Sequence, residues 1–235
     1  MSIAAPRRMV ESIARPSVAD AVFEELHRQI LALELPPGAK ISEADVASLM
    51  GVSRQPVRDA FYRLSMLGFL TIRPQRSTTI SAISERSVMQ ARFIRASIEA
   101  ETVRLACERL TPADIKALDD ILAAQDTAVV ARDRGRFHEL DDLFHREICE
   151  RTDHGYAWEI IREKKSHMDR VRFLSLSFAS RDAFDDHVRV LDAIKARDVE
   201  RAMAEMRTHL SRICTQIRRI RADNEAYFEG EHFTD

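Results

Sequence analysis

Residues 42–80 read SEADVASLMGVSRQPVRDAFYRLSMLGFLTIRPQRSTTI, and this stretch decides the fold. Ser42 is placed to cap a helix whose first turn holds Glu43 and Asp45 and whose apolar positions Val46, Leu49 and Met50 recur at helical spacing. Gly51 stops it. Ser53 is placed to cap a second helix with Arg54, Gln55 and Pro56 in its first turn, where proline's missing N–H has no intrahelical partner to lose. The apolar face of that helix is Val57, Phe61, Leu64 and Leu67. Two helices joined at a glycine form a helix-turn-helix, in which the second helix enters the DNA major groove led by its N-terminal residues. Those residues here are Ser53, Arg54, Gln55 and Arg58. Arginine bonds guanine bidentately, glutamine does so with adenine, and a helix N-terminus favours a phosphate.

After Gly68 the run Phe69–Ile72, the polar break 73–77 and Thr78–Ile80 predict a strand, a turn and a strand. This hairpin is the wing of a winged helix, with Arg73, Gln75, Arg76 and Ser77 placed toward DNA. Between Ser53 and Arg76 stand five arginines and one acid, Asp59, in a chain whose net charge is −2. Local positive charge on a slightly acidic protein marks a polyanion footprint. The competing reading, a helical hairpin with solvated arginines, leaves the Gly-Val-Ser-Arg turn and the basic wing without a purpose.

The stretch resembles the winged-helix domain of the GntR superfamily of bacterial transcription regulators. The likeness is carried by Leu35-Pro36-Pro37-Gly38 with Ile41, by Gly51 to Ala60, by Leu64 and by Gly68-Phe69-Leu70. It implies that Ser53, Arg54, Gln55 and Arg58, with the wing tip near Gln75 to Ser77, contact a DNA operator. Threonine is more usual in that family at Gln55 and glycine at Ser77, and some members place a basic residue at Ala44.

The chain of 235 residues has room for two domains, each with its own core. Hydrophobic residues make up 45% and charged ones 31%, and no apolar run approaches a membrane span of ~18 residues or a signal peptide. These features predict a cytoplasmic protein with no membrane partner. Cys107, Cys149 and Cys214 are far apart and odd in number, so they read as free thiols rather than a disulfide framework or metal knuckle. Residues 1–80 carry ten basic and eight acidic groups, the remainder twenty-six and thirty. Only the first part suits a polyanion.

The expected organisation is mainly α: a flexible arm at 1–16, a winged helix-turn-helix at 17–80, an all-helical antiparallel bundle at 84–224 and a frayed tail at 225–235. The first helix begins at Ser17 and ends at Leu35-Pro36-Pro37-Gly38. Beyond residue 84 there is no strand signal and Pro112 is the lone proline. Six helices are expected there: 84–110, 111–133, 136–150, 157–178, 182–196 and one from Asp198 past Ile220.

Asp141 and His145 share a helix face at i and i+4, while His187 and His209 lie on later helices. Converging in a bundle, three imidazoles and a carboxylate suit a divalent ion such as zinc, nickel or manganese. Spacing across helices also fits ordinary structural histidines, and His138, seven residues before His145, faces nearly the same way. The patterns around Asp141–His145, His187–Ile194 and Met206–Leu210 resemble the FCD effector-binding domain of the FadR-like branch, which implies a metal held by Asp141, His145, His187 and His209. The same resemblance implies a small organic or sugar acid as effector, with Arg95 toward the cavity. Arg170 and Arg172 are further candidates, since a guanidinium clamps a carboxylate bidentately.

The resulting expectation is a homodimeric, ligand-responsive transcription regulator on a pseudo-palindromic operator, a repressor released by its effector or, alternatively, an activator. A metal-dependent enzyme acting on a small carboxylate is the rival, with Glu99, Glu101 and Glu139 as bases by location only. A helical half that merely dimerises is the other.

Overall fold

The computed structural model describes residues 17–73 and 77–230. The expected arm at 1–16, Gln75 and Arg76 at the wing tip, and the last five residues lie outside them. The chain forms two compact units: one from residues up to Arg28 and Lys40–Thr79, the other from Gln29–Ala39 and Ile80 onward.

Helix α1 (Val18–Leu31) buries Val22, Phe23, Leu26 and Ile30, whereas Val18 is 55% exposed. Helix α2 (Glu43–Met50) starts where the Ser42 side chain accepts from Asp45 N–H, and stops at Gly51. There φ is +65°, a left-handed value glycine adopts without a Cβ penalty. Val46 and Ala47 of α2 are buried, but Leu49 turns out to solvent, so the expected apolar triplet is only partly a core face. Helix α3 (Arg54–Met66) buries Val57, Ala60, Phe61 and Leu64. Arg63 ties it to α1, pairing with Asp20 at 2.8 Å and covering the Phe23 ring at 4.0 Å.

The wing contains one strand more than the sequence suggested. Strands β2 (Leu70–Thr71) and β3 (Thr78–Ile80) form the expected pair, and β1 (Lys40–Ile41) adds to β3 antiparallel with Lys40 opposite Thr79. Two residues carry no period-two signal, which is why β1 escaped notice.

The second unit is a helical bundle of α4 (Glu85–Arg109), α5 (Pro112–Ala131), α6 (Arg134–Arg151), α7 (Gly155–Lys195) and α8 (Val199–Asp223). Their starts follow the sequence signals: Thr111 and Asp114 form a capping box with Pro112 at the first position, and Asp133 and Asp198 cap α6 and α8. Arg197 closes the far end of α4, donating to the carbonyls of Cys107 at 2.7 Å and Leu110 at 2.6 Å. One core joins Val103, Leu110, Phe144, Ile148, Leu191, Ile194 and Met206; another joins Ile83, Val88, Met168, Val171, Ile217 and Phe228.

Two expectations are corrected here. The helices predicted at 157–178 and 182–196 are a single 41-residue α7. Its axis bends all the same, since Arg172 and His187 both reach Asp141. A straight run of fifteen residues would hold their Cα atoms about 22 Å apart, more than the two side chains span through one carboxylate. Within that run the Ser175 hydroxyl donates to the Arg172 carbonyl at 2.7 Å. The tail from residue 225 is also not frayed up to Gly230: a 3-10 turn, α9 (Glu225–Tyr227), buries Phe228. Tyr227 and Glu229 then bridge Ile83 in parallel, with Ile83 N–H donating to Tyr227 O at 2.7 Å.

Cys107 and Cys149 are buried free thiols and Cys214 is a partly exposed one. Among the described residues no helix is long and apolar enough to cross a membrane.

Candidate metal centre and nucleic-acid interface

Helix α6 supplies Asp141 and His145, α7 His187 and α8 His209, and one ligand atom from each lies within 4.8 Å of all the others. All four are buried, His209 most exposed at 8%. Phe144 packs the group from the core side, stacked on His187 with ring centroids 4.6 Å apart.

A hydrogen bond fixes which nitrogen of His187 faces inward. Gln125, buried on α5, donates its amide to Leu140 O at 2.9 Å, which turns its oxygen to His187 Nδ1 at 2.8 Å. An amide oxygen only accepts, so Nδ1 carries the proton and Nε2 keeps its lone pair. Glu99 Oε2 meets His145 Nδ1 at 2.5 Å, and Asp186 Oδ2 lies 3.5 Å from His209 Nδ1. Burial pushes the Glu99 carboxyl up, but Arg95 and then His145 outweigh it and keep the acid ionised, hence acceptor-only. His187 thus spends Nδ1 on an acceptor, whereas the Nδ1 atoms of His145 and His209 face carboxylates without a hydrogen bond among the described residues.

That leaves donor atoms facing donor atoms. His187 Nε2 and His209 Nε2 stand 3.3 Å apart, and burial first, then the adjacent imidazoles, holds both rings neutral well below the usual histidine range. His145 Nε2 and Asp141 Oδ1 are buried with no hydrogen-bond partner among the described residues. Burial alone would raise the Asp141 carboxyl, but Arg172 holds it well below the usual range. Three imidazole lone pairs and an ionised carboxylate, each backed by a second polar group, are a donor set that fits a first-row divalent ion.

A pocket of about 50 Å³ opens beside the cluster, room for a few water-sized groups. Arg95, Asp141, Arg172, Ser175, His209, Arg212 and Gln216 are in its wall. Arg95 and Arg172 therefore lie where the sequence placed them. Arg170 does not: it is buried on the other side of α7, donating to Ser81 O at 2.7 Å and Ala82 O at 3.3 Å, and burial pushes its guanidinium down to about 10. His138 joins a different group, Asp142 and Asp169, where Lys165 already bridges the two acids at 2.7 and 2.6 Å.

Sequence reasoning missed Gln125 and Asp186 as orienting acceptors, and Arg212 in the wall. Arg212 had a signal, since it stands three residues after His209 on the same helix face. Gln125 and Asp186 had none, because their partners lie on other helices.

In the first unit Ser53, Arg54, Gln55 and Arg58 are all exposed at the leading end of α3. Ser53 has the extended backbone of a cap (φ −70°, ψ 164°), yet its side chain makes no capping bond, contrary to expectation. Gln55 donates to Asp59 at 2.9 Å, and Arg58 Nε lies 3.4 Å from Glu43. Both are surface pairings that a base or a phosphate can replace. Arg73 and Ser77 are exposed on either side of the wing tip.

Two family models match the chain: bacterial regulatory proteins, gntR family, over residues 18–80, and the FCD domain over residues 90–212. The HTH-type transcriptional repressor RspR of Escherichia coli (strain K12) is 34% identical over 94% of this chain and 99% of its own length. The gluconate operon transcriptional repressor of Bacillus subtilis (strain 168) is 27% identical over 79% of each. Among solved structures, E. coli McbR/YncC shares the fold with a TM-score of 0.73 at 24% identity, covering 86% of this chain and 98% of that one.

Proposed function

Because the chain belongs to the GntR family of bacterial regulatory proteins, with an FCD domain, and is a DNA-binding transcription regulator rather than an enzyme, we propose that it is a cytoplasmic homodimeric repressor released by a small organic or sugar acid bound beside a metal ion. Asp141, His145, His187 and His209 hold the ion, with zinc, nickel and manganese all suited to the donor set. When bound, the ion supplies a fixed positive charge that a carboxylate can meet. The observation that carries this reading is the convergence of Asp141, His145, His187 and His209, all buried, with one ligand atom of each within 4.8 Å of all the others. Arg95 and Arg172 in the adjoining wall favour an anion there. That RspR and the gluconate operon regulator are repressors supports the sign of regulation, and the second name supports the sugar-acid class.

On the DNA side, Arg54 and Gln55 read base edges, and Ser53, Arg58, Arg73 and Ser77 meet the backbone. Two such units in a dimer read the halves of a pseudo-palindromic operator. Release requires that the acid bind the DNA-competent and DNA-incompetent forms unequally, typically by about 1–3 kcal/mol.

The test is elemental analysis of the chain purified without chelators, thermal-shift screening against small organic and sugar acids, and a check that a stabilising acid frees the protein from DNA selected out of a random pool. A stoichiometric first-row metal, a stabilising acid and release together support the reading. No metal, and no shift with any acid after metal is restored, would reduce the four ligands to structural residues.

A further inference from the structure

Residues 53–76 carry five arginines and one acid, Asp59. On a surface that meets a polyanion, a negative charge weakens contact with every sequence alike. Asp59 nevertheless stands exposed on α3, and its carboxylate is engaged: Gln55 Nε2 donates to Asp59 Oδ1 at 2.9 Å across one helical turn. Helical side chains lean toward the N-terminus, so Asp59 reaches back to the leading end while Gln55 itself stays exposed.

The bond fixes the direction of the Gln55 amide. An amide nitrogen carries two N–H groups, one on the side of its own oxygen and one on the far side. Donation through the near one would set the amide oxygen beside the Asp59 carboxylate, acceptor against acceptor, so the far one takes the bond. The edge that then faces away from Asp59 holds the amide oxygen and the second N–H side by side. In the major groove adenine offers an N6 donor beside an N7 acceptor, the complement of that edge. In the free chain the Gln55–Asp59 bond comes and goes as a surface pairing. On adenine it need not break, because the base takes one N–H and Asp59 the other.

Building on the reading of α3 as the helix that enters the major groove, we infer that Asp59 sets the base preference of Gln55: it orders the amide with its oxygen and one N–H presented outward, so that Gln55 selects an A·T pair. Asp59 is a positioning residue, touching Gln55 and not the base. Ordering a long side chain opposes binding only where that side chain makes its base contact, so ordering it beforehand raises specific over non-specific binding. The lone acid of the footprint thus lowers overall attraction and sharpens discrimination at one base pair.

The experiment selects DNA from a random pool with the full chain and with Gln55→Ala, and takes the position whose preference disappears in the variant as the one Gln55 meets. Adenine is expected there, favoured about tenfold over the other bases. Asp59→Ala should cut that preference at least about threefold, in the range for ordering one long side chain, while preferences elsewhere in the operator are kept and affinity for random-sequence DNA is unchanged or higher. Alanine at an exposed helix position keeps the helix, which thermal unfolding checks. Asp59→Glu, which retains an ionised acceptor one turn from Gln55, should restore most of the preference. Adding Asp59→Ala to Gln55→Ala should change nothing further in the base pattern. A preference that survives Asp59→Ala overturns the inference, as does a base other than adenine at that position, or a loss spread over the whole operator, which a residue that only braces α3 would give. Selection in which Gln55→Ala alters no position removes Gln55 from base reading, which overturns the inference and leaves the rest of α3 standing. A natural chain that selects no sequence refutes the DNA-reading surface itself, and the inference with it.

Discussion

The candidate DNA-reading surface and the candidate metal centre are built on opposite principles. Ser53, Arg54, Gln55 and Arg58 come from six consecutive positions, stand in solvent, and are held by partners that exchange readily, such as Asp59 and Glu43. Asp141, His145, His187 and His209 span three helices, are buried, and are each backed by a specific second group. A surface whose partners come and go is left loose, whereas a buried cluster of polar groups is held in place by the helices around it.

The sharpest way to break this comparison is to remove a ligand. His145→Ala is expected to weaken Zn2+ by more than about 100-fold, beyond the 10–100-fold typical of a lost backing group, while operator binding without effector persists. Chelator competition and gel shift on the same preparation read both, and undiminished metal affinity would mean that the ligands are misassigned. Next in size, Arg54→Ala should cost about 1–3 kcal/mol of operator affinity and leave metal content untouched. Equal affinity for operator in variant and parent would remove Arg54 from the major groove.

A smaller effect separates the regions by pH. His187 and His209 titrate well below the ordinary histidine value in the folded chain. Above about pH 6.5 both folded and unfolded states are neutral at these rings and they contribute no pH dependence. Below it the unfolded chain takes up protons that the folded one refuses, so stability falls as pH falls, by of order 1 kcal/mol by about pH 6. Thermal unfolding of chelator-treated protein between about pH 7.5 and pH 5.5 should show this slope. A flat profile would mean that the rings accept protons in place.

The contrast also explains what could be read in advance. The helix-turn-helix and the starts of α5 and α8 were legible because capping residues, Gly51 and Pro112 act within a few residues of themselves, whereas Asp133, expected at the end of the helix before, caps α6. The ligand set was legible in its i, i+4 half, Asp141 and His145, and otherwise through resemblance. Gln125, Asp186 and the place of Arg170 were not, since each depends on which helix faces which. The continuity of α7 failed for a different reason. In sequence a bent helix and two helices joined by a short turn look alike.

The parallel bridge between Phe228 and Ile83 has a practical side. It holds the end of the described chain against the connector that follows β3, with Arg170 gripping the same connector from α7. A reporter dye at Gly230, two residues past that bridge, would therefore be tethered to the connector rather than to free solvent. Because Cys107 and Cys149 are buried, an engineered thiol at Gly230 has only Cys214 to compete with it for label.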